Sequence, residues 1–150
     1  MEGDEKGTGA GVVRRLHQAF NDRDRDALLG CLAQDVSWHV EGDHPLAGTH
    51  DGRSALWEGF FDPMWPSPAR VEGNDVREHG EYVVAFETAI HNFGEGERSW
   101  ETVEVFRLDG GRVVERWEFT SGQAELDRFL TRGCAAGAES SESAGSAVAL

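Results

Sequence analysis

Hydrophobic and polar positions change period four times along this chain, and each change marks a new element. Val12, Val13, Leu16, Ala19 and Phe20 recur at three- and four-residue steps, which predicts an amphipathic helix stopped by Asn21 and Asp22. Ala27, Leu28, Cys31 and Leu32 carry the same period through a second, shorter helix. The period then drops to two. Val36, Trp38 and Val40 alternate with Ser37, His39 and Glu41, the pattern of a half-buried strand. A loop with Gly42, Pro45, Gly48 and Gly52 follows, and residues 54–61 return to a helical period that offers Leu56, Trp57, Phe60 and Phe61. Pro63, Pro66 and Pro68 are expected to end that helix.

From Ala69 onward the pattern is β. Val71, Val76 and the runs 82–90, 100–108 and 112–119 read as a meander joined by Gly- and Asp-rich turns. Thr120 and Gln123 have the spacing of a capping box for a last helix that buries Leu126, Phe129 and Leu130. Helices first and a sheet second is an α+β layout, which the strand at 36–40 must also join. Helices packed over the hollow of a curved sheet leave room for a pocket. One domain is expected at 9–133. Residues 1–8 and 134–150, small, polar and Gly/Ser/Ala-rich, are expected to be disordered.

Composition narrows the partners. The chain has 150 residues, 28 acidic against 14 basic, for a formal net charge of -14, so a nucleic-acid backbone is excluded as a partner. No segment is apolar enough for a membrane span or a secretory leader, and a cytoplasmic location is expected. Cys31 and Cys134 stand alone, without disulfide or zinc spacing.

Candidate chemistry begins at ETVEVFRLDGGRVVERWEF, two strands joined at Asp109-Gly110-Gly111. Thr102, Glu104, Phe106 and Leu108 share one face, and the two apolar members point that face inward. Glu104 is a carboxyl held in an apolar site, a core acid paired with an arginine, or a solvated strand residue. Alternation also turns Trp38, Phe86, Trp100, Trp117 and Phe119 inward, and Glu87 and His91 outward. Together with Phe20, Trp57 and Phe60 these aromatics would wall a pocket for a flat, apolar molecule. Val83, Val103 and Val105 leave the outer face partly apolar. His39, beside Trp38, turns away from such a pocket, while His44 follows Asp43 in a loop over its mouth; both are candidate proton carriers. No periodicity gathers His39, Asp43, His44, His50 and Asp51, so no metal is expected.

The strings AFNDRDRDALLGCLAQDVSWHVEGDHPLAGTHDGRSAL, TVEVFRLDGGRVVERWEF and AELDRFL resemble the nuclear transport factor 2-like superfamily, and within it SnoaL-like polyketide cyclases and ketosteroid isomerases. The resemblance implies a cone-shaped, curved antiparallel sheet wrapped around N-terminal helices, and a homodimer that covers the outer face. It places a general base at Asp43 and, at Glu104, an acid that donates a hydrogen bond to a developing oxyanion. A tyrosine that would help Glu104 is replaced by Leu16, with His17 beside it. Loss of one such donor costs on the order of a hundredfold or more, which argues against steroid isomerisation proper. Epoxide hydrolases of this fold are less similar, because their Asp–Arg–Asp device would need an arginine near Thr102 and an aspartate near Phe119. The implied function is a cofactor-independent enzyme, a cyclase or isomerase that moves protons next to a carbonyl on a polyketide- or steroid-like substrate. Asp43 and Glu104 would act with His44 or His39, against a wall of Leu16, Phe20, Trp38, Phe60, Phe86, Trp117 and Phe119. The alternatives are a binding protein that holds a hydrophobic metabolite in the same cavity, or a dimeric scaffold with a filled core.

Overall fold

In the computed structural model, residues 8–92, 94 and 96–134 are described. The ends expected to be disordered lie outside them, apart from Thr8 and Cys134. Helix α1 (Gly9–Asp22) begins where the Thr8 hydroxyl accepts from the Gly11 N–H, and ends at Arg23 in the left-handed region, φ 55°. It buries Val12, Val13, Leu16, Ala19 and Phe20 as the period predicts, and His17 as well. Helix α2 (Arg25–Gly30) is capped by the Asp24 carboxylate, which accepts from Ala27 N–H.

Six strands form one open, curved sheet: β1 (Leu32–Val40), β2 (Gly48–Asp51), β3 (Arg70–His79), β4 (Tyr82–His91), β5 (Arg98–Asp109) and β6 (Arg112–Thr120). Their order across the sheet is β2-β1-β6-β5-β4-β3. Neighbours are antiparallel except β1 and β6, which run parallel, so the sheet is mixed and not antiparallel throughout. The helices pack on one face of it. This is the α+β architecture that the order of periods predicts.

Four local readings change. Leu32, expected on the second helix, is the first residue of β1, and Cys31 caps α2. Gly48–Asp51, expected in a loop, forms a short edge strand on β1. Four residues with little apolar content give no periodic signal. Helix α3 starts at Arg53–Leu56, widens into a π-helical turn at Trp57–Phe61 and continues through Asp62–Met64. Pro63 therefore sits inside the helix, in the first turn after the widening, where its missing N–H costs little. Thr120 is the last residue of β6 and not a cap, and its hydroxyl has no hydrogen-bond partner among the described residues. Helix α4 (residues 123–134) buries Leu126, Phe129 and Leu130, with Phe129 5.2 Å from Trp100.

Between α3 and β3 the Pro-rich segment is clamped by Arg23. Its guanidinium donates to the carbonyls of Trp65, Ser67 and Ala69. That clamp fixes Met64 and Ala69, two residues of the cavity wall.

Candidate functional site

A cavity of about 90 Å³ lies between the helices and the inner face of the sheet. Its apolar wall includes Leu16 and Phe20 from α1, Trp38 from β1, Phe60 and Phe61 from α3, and Leu126 from α4. The π-helical turn lets consecutive phenylalanines both meet Trp38, Phe60 at 5.9 Å and Phe61 at 5.4 Å between ring centres. Ala69, just before β3, and Ala89 on β4 contribute small side chains to the wall.

Strand register decides which side chains enter. Thr102, Glu104, Phe106 and Leu108 of β5 face inward and are buried, as expected. On β6 the hairpin holds Leu108 opposite Val113, but a bulge follows, so that Arg107 faces Glu115, Phe106 faces Arg116 and Glu104 faces Glu118. One extra residue on β6 exchanges its two faces. Arg116 and Glu118 turn inward, and Trp117 and Phe119 turn outward, against the sequence expectation. On β4, Val83 opposes Phe106 and Glu87 opposes Thr102, so Glu87 and His91 face inward and Phe86 outward. That too reverses the expectation, and Val83 is buried, not outer.

The result is a line of charge across a buried floor. Arg116, 3% exposed, donates from Nε to Glu104 Oε2 at 2.6 Å and from Nη1 to the His39 carbonyl at 3.1 Å, while Nη2 lies 3.0 Å from Glu118. Its guanidinium also lies over the Trp38 ring at 4.5 Å. The other Glu104 oxygen, Oε1, is 2.8 Å from His17 Nε2, and that nitrogen is 3.2 Å from Glu87 Oε2. Two glutamates thus share one histidine.

Their protonation differs sharply. Burial, followed by the negative charge of Glu104 and a hydrogen bond with it, pushes the Glu87 carboxyl up to about 12. Glu87 is therefore neutral at neutral pH. Burial pushes Glu104 up too, but the Arg116 charge and the hydrogen bonds from Glu87 and His17 outweigh it and hold Glu104 below the usual carboxylate range. Arg116 stays charged: burial lowers it, and the charges of Glu118 and Glu104 more than compensate. Two histidines on the cavity wall are held neutral. Burial lowers His44, and burial with the nearby His44 lowers His91 to about 4.

Of the residues singled out in the sequence, the cavity gathers Glu104, His44, Leu16, Phe20, Trp38 and Phe60. Phe86 and Phe119 are 47% and 55% exposed on the outer face. Trp117 stacks there on His39, 5.7 Å between rings, and His39 Nε2 binds Glu115 at 2.7 Å. Asp43 is exposed and lines a surface groove with Asp127 and Arg128, not the cavity. The loop that was expected to lay it over the pocket instead seats His44, whose Nε2 donates to the Glu41 carbonyl while Nδ1 accepts from Leu46 N–H.

Arg116 and Glu118 escaped the sequence reading, Glu87 was expected on the opposite face, and His17 was noted only as the neighbour of Leu16. His17 is four residues after Val13 and three before Phe20, so the helical period alone puts it on the buried face. Among the described residues, His17, Glu87 and Glu104 are also the group whose ligand atoms lie close enough for a metal, within 4.8 Å of one another. Arg116 already supplies positive charge to Glu104 there. Cys31 and Cys134 are both free thiols. Among the described residues, no helix is long and apolar enough to cross a membrane.

A SnoaL-like domain profile matches residues 13–116. No curated protein matches the chain. Among solved structures, a nuclear transport factor 2-like protein of unknown function from Burkholderia pseudomallei is 27% identical, with a TM-score of 0.68 over 80% of this chain and 95% of that one. A proposed polyketide cyclase from Sinorhizobium meliloti is 18% identical, with a TM-score of 0.59 over 72% and 93%. TerC, co-crystallised with polyporic acid, is 20% identical, with a TM-score of 0.66 over 81% and 95%. The last two likenesses establish shared fold only.

Proposed function

The chain belongs to the SnoaL-like domain family, and on that premise we propose that it is a cofactor-independent cyclase or isomerase acting on a hydrophobic carbonyl compound in this cavity. The observation that carries the reading is the pair of buried carboxyls on the cavity floor, Glu104 and Glu87, set 2.8 and 3.2 Å from one His17 nitrogen, an arrangement that keeps Glu87 protonated beside an ionised Glu104. A carboxyl kept neutral at pH 7 can donate a hydrogen bond to a carbonyl oxygen and stabilise the enolate as it forms. Glu104, relieved of its hydrogen bond from Glu87, takes the proton from the carbon next to that carbonyl. The enolate then either takes the proton back at another carbon or attacks a second carbonyl carbon to close a ring, with the Glu104 proton going to the new alkoxide. Arg116 and His17 hold Glu104 in place and make it a weak base, so the carbon acid must itself be activated. In this scheme Glu87 takes the donor role that the resemblance assigned to Glu104, and the exposed Asp43 has none.

Loss of deuterium from the α-carbon of a labelled ketone, followed by NMR, tests the chemistry. Exchange is expected with the intact protein. The second reading, a binding protein, is favoured by the pinning of Glu104 and by the outward Asp43. It predicts that a ketone raises the melting temperature while no deuterium is lost.

The outer face of the sheet supports a homodimer. Phe86, Val103 and Phe119 form one row across β4, β5 and β6, and Val84, Val105 and Trp117 the next. A continuous apolar face of this kind calls for cover, and a second copy of the chain would supply it symmetrically. Phe119→Glu would put charge in the middle of that contact, and light scattering should then report a monomer where the unaltered chain gives a dimer.

A further inference from the structure

The cavity's size and its unmet polar groups say more about the occupant than the family does. A cavity of about 90 Å³ is smaller than the roughly 150 Å³ that accommodates benzene in an engineered apolar core, and far below the several hundred that drug-sized ligands fill. The aromatic wall is tightly packed, with Phe60 and Phe61 5.0 Å apart between ring centres and both against Trp38. Three buried polar atoms on lining residues are short of partners among the described residues: Thr102 Oγ1 and Trp38 Nε1 have no hydrogen bond, and Glu87 Oε2 has only the His17 Nε2 contact at 3.2 Å. Each costs about 1–3 kcal/mol if nothing meets it. Glu87 and Thr102 are neighbours in register on β4 and β5, so two of the three define one polar end of the cavity.

The charges on the wall are already spoken for. Each nitrogen of the Arg116 guanidinium has an acceptor within the protein. Arg70, at the rim, is held by Glu72 and Glu97. His44 and His91 are neutral near pH 7. A carboxylate or phosphate entering here would therefore be stripped of water with no cation to receive it.

We infer that the cavity is built for an uncharged carbonyl compound smaller than a six-membered ring, with its oxygen set at the Glu87–Thr102 end. The inference rests on the small-molecule reading above and narrows it, because polycyclic polyketides and steroids are too large for this space. Thr102 is then a positioning residue that orients the carbonyl for Glu87.

Three probes test it on the intact protein by thermal shift and NMR titration: 2-butanone, the size-matched anion propionate and the six-membered ketone 2-cyclohexen-1-one. Butanone is expected to bind and raise the melting temperature, while propionate and cyclohexenone leave it unchanged. Thr102→Val, nearly isosteric, should weaken butanone at least about fivefold through the lost hydroxyl contact, and Ala89→Leu should abolish binding by filling the space. Cyclohexenone binding as well as butanone would overturn the size limit, and propionate binding would overturn the charge limit; either leaves the small-molecule reading standing. Silence from all three probes would overturn the inference and that reading together.

Discussion

Arg116→Met is expected to be the most damaging single substitution in this protein, lowering stability by about 3–5 kcal/mol, a fall on the order of 10 °C in melting temperature. Methionine preserves much of the volume and packs against Trp38 and Phe60 as the arginine stem does, so the loss isolates the charge. Three glutamates face that charge. Glu104 and Glu118 contact it directly, and Glu87 is coupled to it through Glu104. Without the guanidinium, Glu104 keeps its burial but loses the attraction that holds it ionised, and must take up a proton or remain an uncompensated buried charge. Glu104→Gln is expected to cost less, because Arg116 still has Glu118. Adding Glu104→Gln to Arg116→Met should recover part of the loss. Urea melts of the three variants check this ordering. Equal losses for Arg116→Met and Glu104→Gln would mean that packing, not charge, is what Arg116 contributes.

Glu87→Gln should do the opposite, sparing the fold and slowing the chemistry. The neutral amide closely matches a protonated carboxyl in size, and is a far weaker acid. α-Deuterium exchange should fall by about tenfold or more, because an amide N–H is a weaker donor to the enolate than a carboxyl O–H, with little change in melting temperature at pH 5. Stability should then diverge with pH. The Glu87 pKa is raised in the folded state, from 4.5 to about 12, so the stability tied to its proton is fully present below pH 4.5 and is lost as pH rises toward 12. Only the unfolded chain gives that proton up over this window. The glutamine variant lacks the group, so its advantage over the unaltered chain should grow between pH 5 and pH 9, by at most about 1.4 kcal/mol per pH unit. Parallel stability curves for the two proteins would show that Glu87 is ionised and solvated.

Much of this could be read in the sequence where one face of an element is clearly more apolar than the other. The buried stripe of α1, the alternation of β1 and the inward face of β5 all follow from period and polarity. Strands β4 and β6 do not, because both of their faces carry apolar residues. In β6 the rule that aromatics go inside chooses Trp117 and Phe119, and so does a two-residue hairpin continued without interruption from Asp109–Arg112. The bulge after Leu108 overrides both and sends Arg116 inward, where it meets Glu104. In β4, Phe86 outweighs Ala85 in any hydrophobicity comparison, yet Ala85 is the residue opposite Glu104. The alternative of a core carboxyl paired with an arginine was open in the sequence. What local patterns could not supply was which arginine, since the pair joins neighbouring strands across a shifted register. Asp43 shows the converse limit: a position carried over from a family resemblance gives no information on which way a loop turns.

The most direct test of the account is the ionisation of Glu87 and Glu104 themselves, read from side-chain carboxyl carbon-13 shifts across pH 5 to 9. The account predicts one carboxyl fixed at the protonated shift throughout that range and assigned to Glu87 by its loss in Glu87→Gln, with Glu104 fixed at the ionised shift. Two carboxyls that are both ionised at pH 7 and titrate together near pH 4 to 5 would contradict it. The floor of the cavity would then hold no neutral acid, and the proposed proton transfer would have no donor.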